Sequence, residues 1–135
     1  MAGYSGTPLA TKLGIKEGHR LAFVGAPPGY RELLGELPRG VDCGDELTGT
    51  LDLIQLFAAS RAELEPVLRQ AIEHLAMAGA LWVSWPKRAS GVATDLDENV
   101  VRRIGLDLGV VDVKVCAVDQ TWSGLKFVRR LRDRK

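Results

Sequence analysis

The 135-residue sequence is short of the features that mark most specialised protein classes. It has two cysteines, Cys43 and Cys116, too few and too far apart for a zinc pattern. In a reducing compartment they are expected to be free thiols packed as small hydrophobes. Charge of either sign is not in excess: 18 Lys and Arg face 17 Asp and Glu, which excludes a global pull toward nucleic acid or anionic lipid. No apolar run approaches the roughly 20 residues of a membrane span. The opening Met1-Ala2-Gly3-Tyr4-Ser5-Gly6 lacks the basic-then-apolar order of a signal peptide. A cytoplasmic protein making no membrane contact is expected. His19 and His74 stand alone, so neither a metal set nor a nucleophile–histidine–acid set can be assembled, and no catalytic residue is assigned.

What is present is the patterning of an α/β domain. Residues 1–18 hold Gly3, Gly6, Pro8, Gly14 and Gly18 without sustained periodicity. They are expected to form an arm with a helical turn around Leu9–Leu13, ahead of a single domain over 19–135. Arg20 to Gly25 reads as an apolar strand, Tyr30 to Leu37 as a short helix or turn stopped by Pro38, and Gly40 to Cys43 as a short strand. Leu51 to Phe57 is nearly continuous in apolar residues, as a strand covered on both faces should be. Ser60-Arg61-Ala62-Glu63 is a capping box. Behind it Leu64, Val67, Leu68, Ala71, Ile72, Leu75 and Ala76 form one helical stripe, with Pro66 inside it and Gly79 at the expected C-cap. Ala80 to Trp85 is the next strand. Thr94 or Asp95 is expected to cap a helix through Val100, Val101 and Ile104 to Leu108, closed by Gly109. In Val111 to Val118 the valines should face the core and Asp112, Lys114 and Cys116 the other side, with Asp112 and Lys114 as a surface ion pair. A last strand, Leu125 to Arg130, precedes a basic tail.

Alternating strands and helices with short links call for a parallel sheet with right-handed crossovers. The final two strands are joined by too few residues for a crossover and must form an antiparallel hairpin. The fold class is therefore α/β: a Rossmann-like three-layer sandwich whose mostly parallel sheet ends in an antiparallel C-terminal hairpin. From Leu51 onward the element order resembles the second half of a class I S-adenosylmethionine-dependent methyltransferase. The runs Trp85-Pro86-Lys87, Ala93-Thr94-Asp95-Leu96, Val111-Asp112-Val113-Lys114-Val115 and Trp122-Ser123-Gly124-Leu125 resemble a family of short bacterial domains of unknown function, common in actinobacteria.

The methyltransferase resemblance implies an acidic, glycine-rich loop after the first strand and an acid after the second to hold ribose hydroxyls. Here the first loop is Gly25-Ala26-Pro27-Pro28-Gly29-Tyr30, in which two prolines replace residues that would donate N–H groups. Asp42, Asp45 and Glu46 lie after the second strand, within a segment that also reads as a solvated loop. Too few residues separate Cys43 from Leu51 for the usual third strand and its helix. Lys87 stands where some RNA 2′-O-methyltransferases keep a catalytic lysine, but Leu56-Phe57-Ala58 offers no partner aspartate. No cofactor is therefore expected. The expected function is a non-catalytic, methyltransferase-like interaction or regulatory module with a protein partner. The alternative is a small enzyme or a domain for a small anionic ligand, using a pocket around Ala26–Tyr30, Ala58–Arg61 and Trp85–Ser90. Its candidate ligand residues are Pro28, Gly29, Tyr30, Lys87, Arg88 and Ser90. Trp85 and Trp122, at strand ends, are expected to be half-exposed packing residues, with the lining of a shallow groove as the alternative. Nucleic acid is disfavoured, with the Arg129–Lys135 tail its one candidate contact.

Overall fold

The strand Leu51–Phe57 lies at the middle of the sheet with six of its seven residues buried, as its apolar run predicts. The computed structural model describes residues 8–133. Its elements are α1 (Leu9–Leu13), β1 (Arg20–Val24), α2 (Tyr30–Leu34), β2 (Asp42–Gly44), β3 (Leu51–Phe57), α3 (Arg61–His74), β4 (Leu75–Pro86), α4 (Glu98–Leu108), β5 (Val110–Ala117) and β6 (Trp122–Arg129). The six strands form one sheet in the order β2-β1-β3-β4-β6-β5. Pairs among the first four are parallel, and β6 runs antiparallel to both β4 and β5. The predicted Rossmann-like sandwich and its C-terminal hairpin are both present. One face packs on α3 and α4 around Leu64, Leu68, Val101 and Ile104, and the other on α1 and α2 around Leu13, Tyr30 and Leu34. No helix among the described residues is long and apolar enough to cross a membrane.

The capping box at α3 forms as read. Ser60 Oγ accepts from the Glu63 N–H at 3.2 Å, and the Glu63 carboxylate accepts from the Ala59 N–H at 3.0 Å. The helix runs unbroken past Pro66 and ends at His74, earlier than its stripe predicts. Leu75 and Ala76 belong to β4 instead, and Gly79 is not a helix cap. At that end the Arg129 guanidinium donates to the carbonyls of Ile72 at 2.7 Å and Leu75 at 2.6 Å, satisfying acceptors that the helix leaves open. Gly79 is needed for close approach, since a Cβ there would lie 2.8 Å from Leu75 Cδ1 and 3.0 Å from the Asp52 carbonyl. His74 bonds through Nδ1 to the Gly49 carbonyl at 2.6 Å.

Three further expectations are corrected. The cap of α4 is Asp97, whose carboxylate accepts from the Val100 N–H at 2.8 Å. Thr94 instead donates to the Ala59 carbonyl at 2.6 Å, and Asp95 accepts from the Arg61 N–H at 2.9 Å. The loop before α4 thus braces the start of α3. In β5, a bulge between Asp112 and Lys114 breaks the simple alternation. Val113 and Val115 are 54% and 47% exposed rather than buried. Asp112 pairs with Arg102 of α4 at 2.8 Å, and Lys114 points to the opposite face of the sheet across from Lys126, so the expected Asp112–Lys114 pair does not form.

The segment ahead of β1 is fastened to the sheet. Leu13 is fully buried, Ala10 and Ile15 nearly so, and the Trp82 indole N–H donates to the Leu13 carbonyl at 3.0 Å.

Candidate functional site

Parallel strands end together, and the carboxyl ends of β1 and β2 open onto a cavity of about 710 Å³. The loop Gly25–Gly29 forms one wall, the first turn of α2 brings Arg31 and Glu32, and Gly44 and Asp45 after β2 supply another side. Gly25 is required where it stands: its φ is +75°, and a Cβ would come within 2.9 Å of the Phe57 carbonyl at the end of β3. The Tyr30 N–H is taken by the Pro27 carbonyl at 3.2 Å. Pro27 and Pro28 have no N–H, so only Gly25, Ala26 and Gly29 remain as backbone donors on this loop.

Tyr30 borders the cavity, but its side chain turns down into the core. It packs edge-on between Phe23, at 5.5 Å between ring centres, and Phe57, at 4.8 Å. Phe57 in turn meets Trp122 edge-on at 5.2 Å. Within this aromatic layer the Tyr30 hydroxyl donates to Gln55 Oε1, and Gln55 Nε2 donates to Ser84 Oγ at 3.0 Å. Gln55 and Ser84 are fully buried. Burial pushes the Tyr30 phenol well above the usual tyrosine range, so it acts as a neutral donor rather than an acid.

A second cavity, of about 430 Å³, opens at the carboxyl end of β4 between Trp85, Arg88 and the Gly91–Asp97 loop. The candidate residues are thereby divided. Gly29 and Tyr30 border the first cavity, Arg88 the second, and Pro28, Lys87 and Ser90 line neither. The single pocket expected from the sequence is two. Ser90 is committed locally, donating to the Lys87 carbonyl at 2.7 Å and accepting from the Val92 N–H at 3.2 Å. Trp85 is buried against α3 and α4 while Trp122 lies on the other face, so they share no groove. Arg31 and Glu32, which the sequence reading passed over, line the larger cavity; their place in the helix right after the loop was the available signal.

Asp45 stands at the cavity as the methyltransferase resemblance implies for an acid after the second strand. The enclosure around it is incomplete. β2 is the outermost strand on that side, and residues 45–50 lead directly into β3. No group of three His, Cys, Asp or Glu residues among the described residues can hold a metal ion. The half-buried thiols of Cys43 and Cys116 are unpaired, and burial pushes Cys116 up, away from reactivity. In the basic tail, Arg129 caps α3 and Arg130 donates to the Leu106 carbonyl of α4 at 3.0 Å, so two of its arginines serve the fold.

No protein-family profile matches the chain, and no curated protein matches it in sequence. Solved structures do. A SAM-dependent methyltransferase from Aquifex aeolicus aligns with a TM-score of 0.61 at 16% identity, over 88% of this chain and 86% of that one. The magnesium protoporphyrin IX methyltransferase of Synechocystis PCC 6803, solved with bound SAH, aligns with a TM-score of 0.59 at 14% identity, over 84% and 75%. Fibrillarin from Aeropyrum pernix, in complex with natively bound S-adenosyl-L-methionine, aligns with a TM-score of 0.58 at 17% identity, over 93% and 70%. At such identities the likeness shows the fold alone. The chain has the Rossmann-like fold of the class I S-adenosylmethionine-dependent methyltransferases.

Proposed function

We propose that this chain is a non-catalytic methyltransferase-fold module of the cytoplasm, an interaction or regulatory domain that recognises a protein partner. The observation that carries this reading is the loop after β1. Two of its residues are prolines, the Tyr30 N–H is already bonded, and Tyr30 is committed to the core. A phosphate or carboxylate cradle works through several N–H groups converging on one ligand, and this loop has few to offer. The open side beyond β2 acts in the same direction, because a wetter site weakens every polar contact made there.

A second reading is favoured by the cavity itself. Its size falls within the range of small-ligand sites, and Arg31 adds a cation to the remaining backbone donors. A small anionic ligand held at Gly29 and Arg31 would make this a binding domain, or an enzyme using the carboxyl end of the sheet.

Thermal unfolding with S-adenosylmethionine, S-adenosylhomocysteine and nucleotides separates the two. A ligand at 100 times its dissociation constant adds about 2.7 kcal/mol of stability, a shift of several degrees for a domain of this size. The module reading expects no shift with any of them. A saturable shift removed by Arg31→Ala would establish the second reading in its place.

A further inference from the structure

At the side of the sheet away from the cavities, β5 is the outermost strand, and no described strand pairs with its outer edge. Such an edge presents backbone groups to any extended chain that approaches. Beyond the bulge between Asp112 and Lys114, the two faces of β5 differ in chemistry. Val115 lies on the α4 side opposite Leu125 of β6, exposed beside Val113. Lys114 lies on the α1 side, directly opposite Lys126 of β6. Lys16, just after α1, is close enough to act on Lys126 as well. Lys16, Lys114 and Lys126 form no ion pair with a described residue.

Edge strands commonly carry a lysine and a bulge to discourage pairing, and Lys114 alone would serve that purpose. Lys126 does not fit it. It sits on β6, paired on both sides by β4 and β5, where there is no edge to guard. Like charges placed directly opposite across two strands repel, and burial adds to the cost by disfavouring the Lys126 ammonium. Negative charge beside Lys114 would relieve both. The exposed valines at the same edge need apolar cover. Side chains of an added strand alternate between the two faces, so one extended segment satisfies both demands.

We propose that the outer edge of β5 is a docking site for an extended protein segment with alternating acidic and apolar residues. Its acidic side chains lie over Lys114 and Lys126, and its apolar ones beside Val115. A nucleic acid would use the lysines but neither the valines nor the strand's backbone edge, which is why a peptide is favoured. The proposal names a partner chemistry for the interaction module, yet uses no residue of either cavity. Ligand binding at Arg31 would overturn the reading of the cavity and leave this edge unaffected.

The test uses the full chain and a fluorescent, N-acetylated octapeptide of alternating glutamate and valine, followed by polarisation, with a lysine–valine octapeptide and single-stranded oligothymidylate as comparisons. Saturable binding of the glutamate peptide is expected, weakening as salt screens the charges. It should fall at least about tenfold in the Lys114→Glu/Lys126→Glu variant and measurably in Val115→Thr. Amide resonances of residues 114–117 should move in the wild-type complex. If charge reversal disturbs the fold, Lys114→Gln/Lys126→Gln replaces it and should weaken binding in the same direction. Absence of saturable binding at millimolar peptide would overturn the proposal, as would equal affinity for the lysine–valine peptide. Tighter binding of oligothymidylate, lost with the lysines but indifferent to Val115→Thr, would also overturn it and make this a nucleic-acid surface.

Discussion

The Tyr30 hydroxyl, at the start of α2, donates a hydrogen bond to the side-chain oxygen of Gln55 on β3 inside a layer closed by Phe23, Phe57 and Trp122. This bond ties the wall of the larger cavity to the middle of the sheet. Tyr30→Phe keeps the ring and leaves the buried Gln55 oxygen without that donor. An unsatisfied buried polar group costs about 1–3 kcal/mol, so the variant should unfold at correspondingly lower denaturant with an unchanged m-value. A change below about 0.3 kcal/mol would mean that water reaches Gln55.

Burial of the Tyr30 side chain makes stability fall in alkali. Burial is the main cause that raises the Tyr30 pKa, with smaller upward pushes from Cys116 and Asp119, opposed by the Gln55 bond. The unfolded chain ionises near the ordinary tyrosine value of 10.0, while the folded chain keeps the proton. The contribution is therefore fully present below pH 10 and is lost as pH rises further. Of the two tyrosines, Tyr30 should form phenolate only with unfolding, and Tyr30→Phe should abolish that late absorbance step.

Gly105 sets two effects against each other. Alanine in a helix interior is favoured over glycine by about 1 kcal/mol. A Cβ at Gly105, however, would lie 2.2 Å from Cε1 and 2.5 Å from Cζ of the fully buried Phe127 ring. Overpacking of this kind costs about 1–3 kcal/mol, so Gly105→Ala should destabilise rather than stabilise the domain in urea titration.

Arg129 and Arg132 belong to the same basic tail and should behave differently. Arg129→Met removes a charged donor from the last carbonyls of α3, a loss of about 1.5–3 kcal/mol. Arg132 is exposed, and its alanine variant should stay within about 0.5 kcal/mol of wild type. Equal effects from both would mean that the carbonyls of Ile72 and Leu75 are satisfied without Arg129.

What the sequence makes legible here is local. The apolar run of β3, the Ser60–Glu63 box and the short β5–β6 link each carry their signal within a few residues, and each forms as expected. The larger cavity was also in reach, because a strand–loop–helix order places Gly29 and Tyr30 at a sheet end. Tertiary demands hid the rest. Leu75 continues the helical stripe but belongs to β4, where it pairs with Leu51 and its carbonyl accepts from Arg129, far away in sequence. Thr94, Asp95 and Asp97 are all good caps, and only the packing of α3 against the following loop decides which one caps α4. The bulge in β5 leaves no mark in a row of alternating valines. The meeting of Lys16, Lys114 and Lys126 depends on that bulge and on where α1 docks.

The claim that the cofactor cradle is no longer functional is tested most directly by calorimetric titration of S-adenosylmethionine and S-adenosylhomocysteine into the full chain. Pro27 and Pro28 supply no donors, and residues 45–50 leave the side beyond β2 open. No saturable heat is therefore expected at millimolar ligand. Micromolar binding that disappears in Asp45→Ala would contradict the account, since it would require the cavity at β1 and β2 to hold the cofactor through the acid after the second strand.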